Sequence, residues 1–186
     1  YLIYYQSDIL VIGYFYDNKD VAHYSVAFTL ISISFILGSV VTQRYYLPEL
    51  HSSYHGDRQL FVHFLKKTIP LLAFSSLFIF ILFISFSELL ISLFFSTDYL
   101  GASVYTSVLS FVIPVKYVSF GFGAAITAAG GIKFKTQVML FAALINVVFN
   151  ITFVPAYGAI AAAYVTVLFE LTIVFIFYFK CKGLVL

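Results

Sequence analysis

Six apolar runs separated by short polar turns constrain this chain more than any other feature. They cover residues 1–16, 23–47, 66–95, 102–129, 136–155 and 159–179. A helix rising about 1.5 Å per residue needs about 20 apolar residues to cross about 30 Å of hydrocarbon. Five runs meet that length; the first, opening on Tyr1, reads as a helix cut at its N-terminus. It carries no charged n-region or small-residue cleavage site, so it does not read as a removable signal peptide. Composition agrees: 62% of residues are hydrophobic and 10% charged, against about 45–50% and about 25% in soluble domains. Mean hydropathy is +1.03. A membrane β-barrel needs alternating segments, and "LLAFSSLFIFILFISF" does not alternate. The expected fold is all-α, a polytopic membrane bundle of about six transmembrane helices.

Basic residues set the expected orientation. The turns after the first, third and fifth runs hold only Lys19. Those after the second, fourth and sixth hold Arg44, Arg58, Lys66, Lys67, Lys133, Lys135, Lys180 and Lys182. The second set is cytoplasmic by the positive-inside tendency. Tyr14, Tyr16, Tyr45, Tyr46, Tyr99 and Tyr178 lie near run ends, where amphipathic rings favour the interface. The longest connection, 49–65, places Leu60, Phe61, Phe64 and Leu65 beside basic residues and reads as an interfacial cytoplasmic segment on an anionic leaflet. The outer turns leave no room for a folded catalytic domain.

Lys116 sits mid-run, about 20 Å along the axis from either end, beyond the reach of a snorkelling lysine. An unpaired charge there costs at least about 2.5–3.5 kcal/mol, so Lys116 should face a wet cavity or a carboxylate. Two readings stand: a cation in a transport cavity, or one half of a structural ion pair. Pro114 removes a backbone donor two residues earlier, and Gly121 and Gly123 follow, which makes this run easy to bend and to approach closely. Asp8 and Glu170 lie inside other runs, each placed to neutralise Lys116 or to act as an ion-coupling group. Glu88, nearer a run end, reads as solvated. Asn146 and Asn150 are four apart and share a helix face; they suit either sugar hydroxyls or helix-to-helix hydrogen bonds. Arg44 is a second candidate cation for an anionic cargo.

No Gly-x-Ser-x-Gly elbow, phosphate loop or His-Glu-x-x-His motif occurs, so no catalytic residue, cofactor or enzymatic role is expected. His51, His55 and His63 lack acidic partners at matching spacing, so no metal site is expected. Cys181 is the single cysteine and reads as an inert thiol at the membrane edge. No nucleic-acid partner is expected.

Four stretches then resemble a known family. "DILVIGYFYDNKDVAHYSVAFTL" (8–30) resembles the start of the second half of bacterial polysaccharide-biosynthesis exporters: an acidic residue in a helix, a short outer turn, then Tyr-Ser-x-Ala. "LPEL" (47–50) is similar to the proline ending that span, and "AAGGIKFKTQV" (128–138) to the glycine-lysine cytoplasmic turn. "NVVFNITFVPAYGAIAAAYVTV" (146–167) resembles the family's Asn-x3-Asn helix, Pro-x-Tyr-Gly turn and small-residue helix. The resemblance implies a flippase of the multidrug/oligosaccharidyl-lipid/polysaccharide exporter superfamily. Such a protein moves undecaprenyl-pyrophosphate-linked oligosaccharides of the O-antigen or capsule type across the bacterial inner membrane by alternating access. The chain would be the second, C-terminal lobe, partnered by an N-terminal lobe, membrane lipid, the lipid-linked oligosaccharide and a coupling proton or sodium ion. Lys116 and Arg44 would attract the diphosphate, Asn146 and Asn150 would touch sugar, and Asp8 or Glu170 would couple the ion. An organic-cation antiporter of the same superfamily is the nearest alternative, and a membrane enzyme of the polysaccharide pathway a more distant one. The pattern at mid-run Lys116 draws nothing from the resemblance.

Overall fold

The computed structural model describes residues 2–185, with side chains described from Ser7 onward; Tyr1 of the first expected span lies outside them. The described residues form helices and turns without a strand: α1 (Leu2–Phe15), α2 (Asn18–Val41), α3 (Leu47–Gly56), α4 (Arg58–Ser85), α5 (Ser87–Phe94), α6 (Ala102–Leu109), α7 (Val112–Ala128), α8 (Ile132–Tyr157) and α9 (Ile160–Val185). Five helical stretches, Asn18–Gly56, Arg58–Ser85, Ala102–Ala128, Ile132–Tyr157 and Ile160–Val185, are long and apolar enough to cross a membrane. The sixth expected span is α1, whose 14 residues extend about 21 Å.

Punctuation residues explain the boundaries. Between α6 and α7 the chain steps through Ser110 and Phe111, where the Ile113 amide donates to the Ser110 carbonyl at 3.0 Å. That carbonyl is the one Pro114 cannot serve, so the helix restarts and Pro114 falls in the first turn of α7, where no donor is needed. The bend expected before Lys116 is therefore a break. After α7, Gly130 adopts φ 78° and the Gly131 amide closes on the Ile126 carbonyl at 2.8 Å, a left-handed stop that suits glycine. Gly158, at φ 88°, ends α8 three residues past Pro155.

Two segments differ from the sequence expectation. Residues 58–65 are not a separate interfacial helix but the first turns of α4, which Asp57 caps by accepting from the Gln59 and Leu60 amides. Helix α3 continues from α2 through a wide π-type turn at Thr42–Tyr46, so 49–56 extends the second span. The third run also divides: Phe86, at φ −124° and ψ 24°, separates α4 from α5. Glu88 thus begins a short helix and is exposed.

Helix α7 is central, packed against α2, α3, α4, α8 and α9. In its span 67% of the most apolar stretch is buried, against 22% in α4 and 28% in α8. The peripheral helices turn Phe74, Phe78, Phe141 and Phe175 outward, as expected where the solvent is lipid. Small residues permit the close packing: a Cβ at Gly121 would lie 2.6 Å from Ile69 Cδ1 on α4. Two apolar clusters result. One gathers Ile12, Tyr24, Leu30, Ile113 and Ala162; the other gathers Leu50, Phe61, Ala125, Phe169 and Phe177. A layer of buried polar groups lies between them.

Candidate functional site

In that polar layer Lys116 Nζ donates to Glu170 Oε1 at 2.6 Å, joining α7 to α9. Glu170 is 0% exposed and Lys116 6%. The ammonium also lies 6.0 Å from the centroid of the Phe35 ring on α2, within cation–π range. Tyr117 donates to the Ser34 carbonyl at 2.8 Å, which ties α7 to α2 one residue beyond Lys116. The lysine is therefore held by a counter-charge, an aromatic face and a rigid backbone.

Asp8 forms a second centre, also 0% exposed, that joins four helices. Its Oδ2 accepts from the Tyr24 hydroxyl of α2 at 2.7 Å and from the Thr166 hydroxyl of α9 at 2.7 Å. Its Oδ1 accepts from Asn150 Nδ2 of α8 at 2.6 Å. Asn150 Nδ2 also donates to Asn146 Oδ1 at 3.0 Å, and both asparagines are fully buried. Asn146 Nδ2 and Asn150 Oδ1 have no hydrogen-bond partner among the described residues. Such a group in a low-dielectric interior costs about 1–3 kcal/mol. The i, i+4 spacing predicted their shared face; the structure turns that face onto Asp8.

The two centres share α9. Thr166 and Glu170 are one turn apart on the stripe continued by Ile173 and Phe177. A cavity of about 380 Å³ opens beside the ion pair, walled by α2, α7, α8 and α9, with Lys116, Lys135, Gln43, Ser119, Thr127 and Thr136 among its lining groups. Among the described residues no carboxylate lines it. Lys116 thus pairs with Glu170 and also borders the cavity. Asp8, Asn146 and Asn150 are not among its lining groups. Arg44 is exposed and lies outside the lining.

Three participants escaped the sequence reading. Tyr24 and Thr166 look like ordinary helix residues, although Thr166 lies one turn before Glu170, and a hydroxyl stacked on a mid-span acid was the available signal. Lys135 was read with Lys133 as a cytoplasmic turn charge. The structure separates them: Lys133 is exposed, whereas Lys135 is half-buried and faces the cavity. Its place with Ile132, Thr136 and Met139, one α-helical stripe, carried that information.

The sequence model of a family described as polysaccharide biosynthesis protein matches residues 1–104, more than half of the 186 residues. The match runs from α1 into the first turn of α6 and includes Asp8 and Tyr24. No curated protein and no solved structure matches the chain. With the matched half contributing two of the four helices that meet at the Asp8 centre, this multi-pass membrane chain belongs to the polysaccharide biosynthesis protein family.

Proposed function

We propose that the chain is one lobe of a flippase that moves lipid-linked oligosaccharide repeat units across the bacterial inner membrane by alternating access, as a carrier and not an enzyme. The observation that carries this reading is a buried polar layer with a cationic cavity, in a family assigned to polysaccharide biosynthesis. A diphosphate headgroup needs cations that have shed part of their hydration. Lys116 meets that need while Glu170 keeps it neutral in the unloaded state. The polyprenyl tail stays in lipid, where the exposed faces of α4 and α8 meet the acyl chains.

An organic-cation antiporter requires a cavity lined by carboxylates. Here both mid-span carboxylates are fully buried, and the charged residues among the described lining of the cavity are Lys116 and Lys135, which favours the anionic cargo. Asp8 is the group we assign to ion coupling. Its oxygens accept from Tyr24, Asn150 and Thr166 and face no counter-charge in those contacts, an arrangement in which a proton or a small cation can join the carboxylate. Neutralisation of Asp8 would loosen the bonds that bind α1 to α8 and α9, and so bias one arrangement of the lobe against its N-terminal partner.

The test is transport by the full-length protein in proteoliposomes loaded with lipid-linked oligosaccharide, with Lys116, Asp8, Asn146 and Glu170 each replaced by cysteine in a Cys181→Ala background. Cargo should protect position 116 from an impermeant thiol reagent, and the Asp8→Asn protein should lose its response to an ion gradient. Unprotected labelling at 116, or oligosaccharide transport unaffected by Lys116→Ala at every ionic strength, would sink the proposal.

A further inference from the structure

We infer that Lys135 and Lys116 are two successive stations for one phosphate-bearing headgroup, with Lys135 meeting it first at the cytoplasmic mouth of the cavity. The inference rests on the flippase reading and adds a residue and an order of events to it. Its basis is a difference between the two lysines. Lys116 is buried and paired with Glu170. Lys135 lines the same cavity, is half-buried, and forms no ion pair or hydrogen bond among the described residues.

The backbone keeps room for the Lys135 side chain. A Cβ built on Gly123 would lie 3.3 Å from both Cε and Nζ of Lys135 and 3.6 Å from Phe177 Cε2. The lysine stem therefore lies against bare α7 backbone, seven residues from Lys116 on the same helix, which is about 10 Å along its axis. Thr127 and Thr136 line the cavity at the level of Lys135, whereas Ser119 lines it one turn from Lys116. Each station combines a cation with hydroxyl donors, which suits phosphate oxygens. Lys135 also stands in the first turn of α8, where the helix N-terminus adds to the attraction for an anion.

The order follows from the charges. An anion arriving from the cytoplasm meets Lys135 with no carboxylate beside it among the described residues that line the cavity. At Lys116 it must displace Glu170, whose 2.6 Å contact already supplies the counter-charge. The outer station therefore governs capture and the inner one governs passage.

The experiment measures binding to the full-length protein in detergent, with farnesyl diphosphate, inorganic pyrophosphate and farnesol as probes. Lys135→Ala should weaken farnesyl diphosphate binding about tenfold, the loss of one charge-assisted contact, and flatten its salt dependence. Lys135→Arg should retain both, and farnesol binding should not change. Because Lys116→Ala alone strands Glu170, the inner station is tested in the Lys116→Met/Glu170→Met double variant. That protein should keep its farnesyl diphosphate affinity within about threefold while losing maximal transport rate. Unchanged affinity in Lys135→Ala, or an equal loss for farnesol, overturns the inference even if oligosaccharide transport is found. Pyrophosphate bound as tightly as farnesyl diphosphate, with no oligosaccharide transport by the native protein, would retain the stations for a soluble phosphate and reject the flippase reading.

Discussion

Asp8 and Glu170 are both fully buried carboxylates, one turn apart through Thr166 on α9, yet their partners are of opposite kinds. Glu170 faces a full positive charge on Lys116. Asp8 faces three neutral donors, from Tyr24, Asn150 and Thr166. An ion pair is satisfied without a visitor and opens only to a competing anion. A carboxylate held by neutral dipoles keeps its net charge, and a proton or cation still gains by joining it. The same residue type thus supplies a latch in one place and a receptive centre in the other.

The strongest way to break this comparison is to remove one partner of the ion pair. Glu170→Ala should lower the stability of the full-length protein by about 3–5 kcal/mol, because Lys116 is left as an uncompensated buried charge. Thermal unfolding in detergent measures the loss. The Lys116→Met/Glu170→Met protein should recover most of it, and a double variant as unstable as the single one would show that the two residues do not act as a unit.

Asp8→Asn comes next. The new amide oxygen can still accept from Asn150 Nδ2, and its NH2 can donate to the Tyr24 and Thr166 hydroxyls once they turn to accept, so an expected cost of about 1–2 kcal/mol reflects charge-assisted bonds that become neutral ones. Ion-gradient dependence of transport should disappear while cargo binding persists. Persistent ion dependence would move the coupling role elsewhere.

Thr166→Val, of nearly unchanged shape, removes one of two donors to Asp8 Oδ2. A cost of about 1 kcal/mol is expected, read as a small shift in unfolding temperature, with Tyr24→Phe close to it. Smaller still is Asn146→Ala, at about 0.2–0.5 kcal/mol, the range for a side-chain pair four apart on one helix. A larger loss at Asn146 than at Asp8 would reverse the ranking and place the organising group on α8.

Much of the bundle was legible in the chain because membrane solvation leaves few options. Each backbone polar group must be paired within its own helix, so run length and turn residues alone locate most spans. Pro114 announced the α6–α7 break, because a missing amide acts within one turn. Phe86 carried no comparable signal, and the α4–α5 division passed unseen. The separate helix expected within 49–65 divides between α3 and the start of α4 for a related reason, since an amphipathic turn looks the same standing alone or beginning a longer helix. Lys133 and Lys135 are two residues apart in one polar turn, and only the direction of each side chain distinguishes a solvated charge from a cavity wall.

By itself the sequence determined that this chain is a membrane helix bundle, which end of each helix is basic, and that Lys116, Asp8 and Glu170 lie too deep to stay unpaired. These follow from composition, length and the cost of charge in hydrocarbon, all of which act on single segments. Only the tertiary structure decided that Glu170, not Asp8, neutralises Lys116, that Tyr24 and Thr166 complete the Asp8 centre, that Arg44 stays outside, and that Lys135 enters the cavity. Each of those depends on the rotation of one helix against another. That rotation is set by many small packing contacts such as Gly121 against Ile69 and Gly123 against Lys135, which no single segment contains.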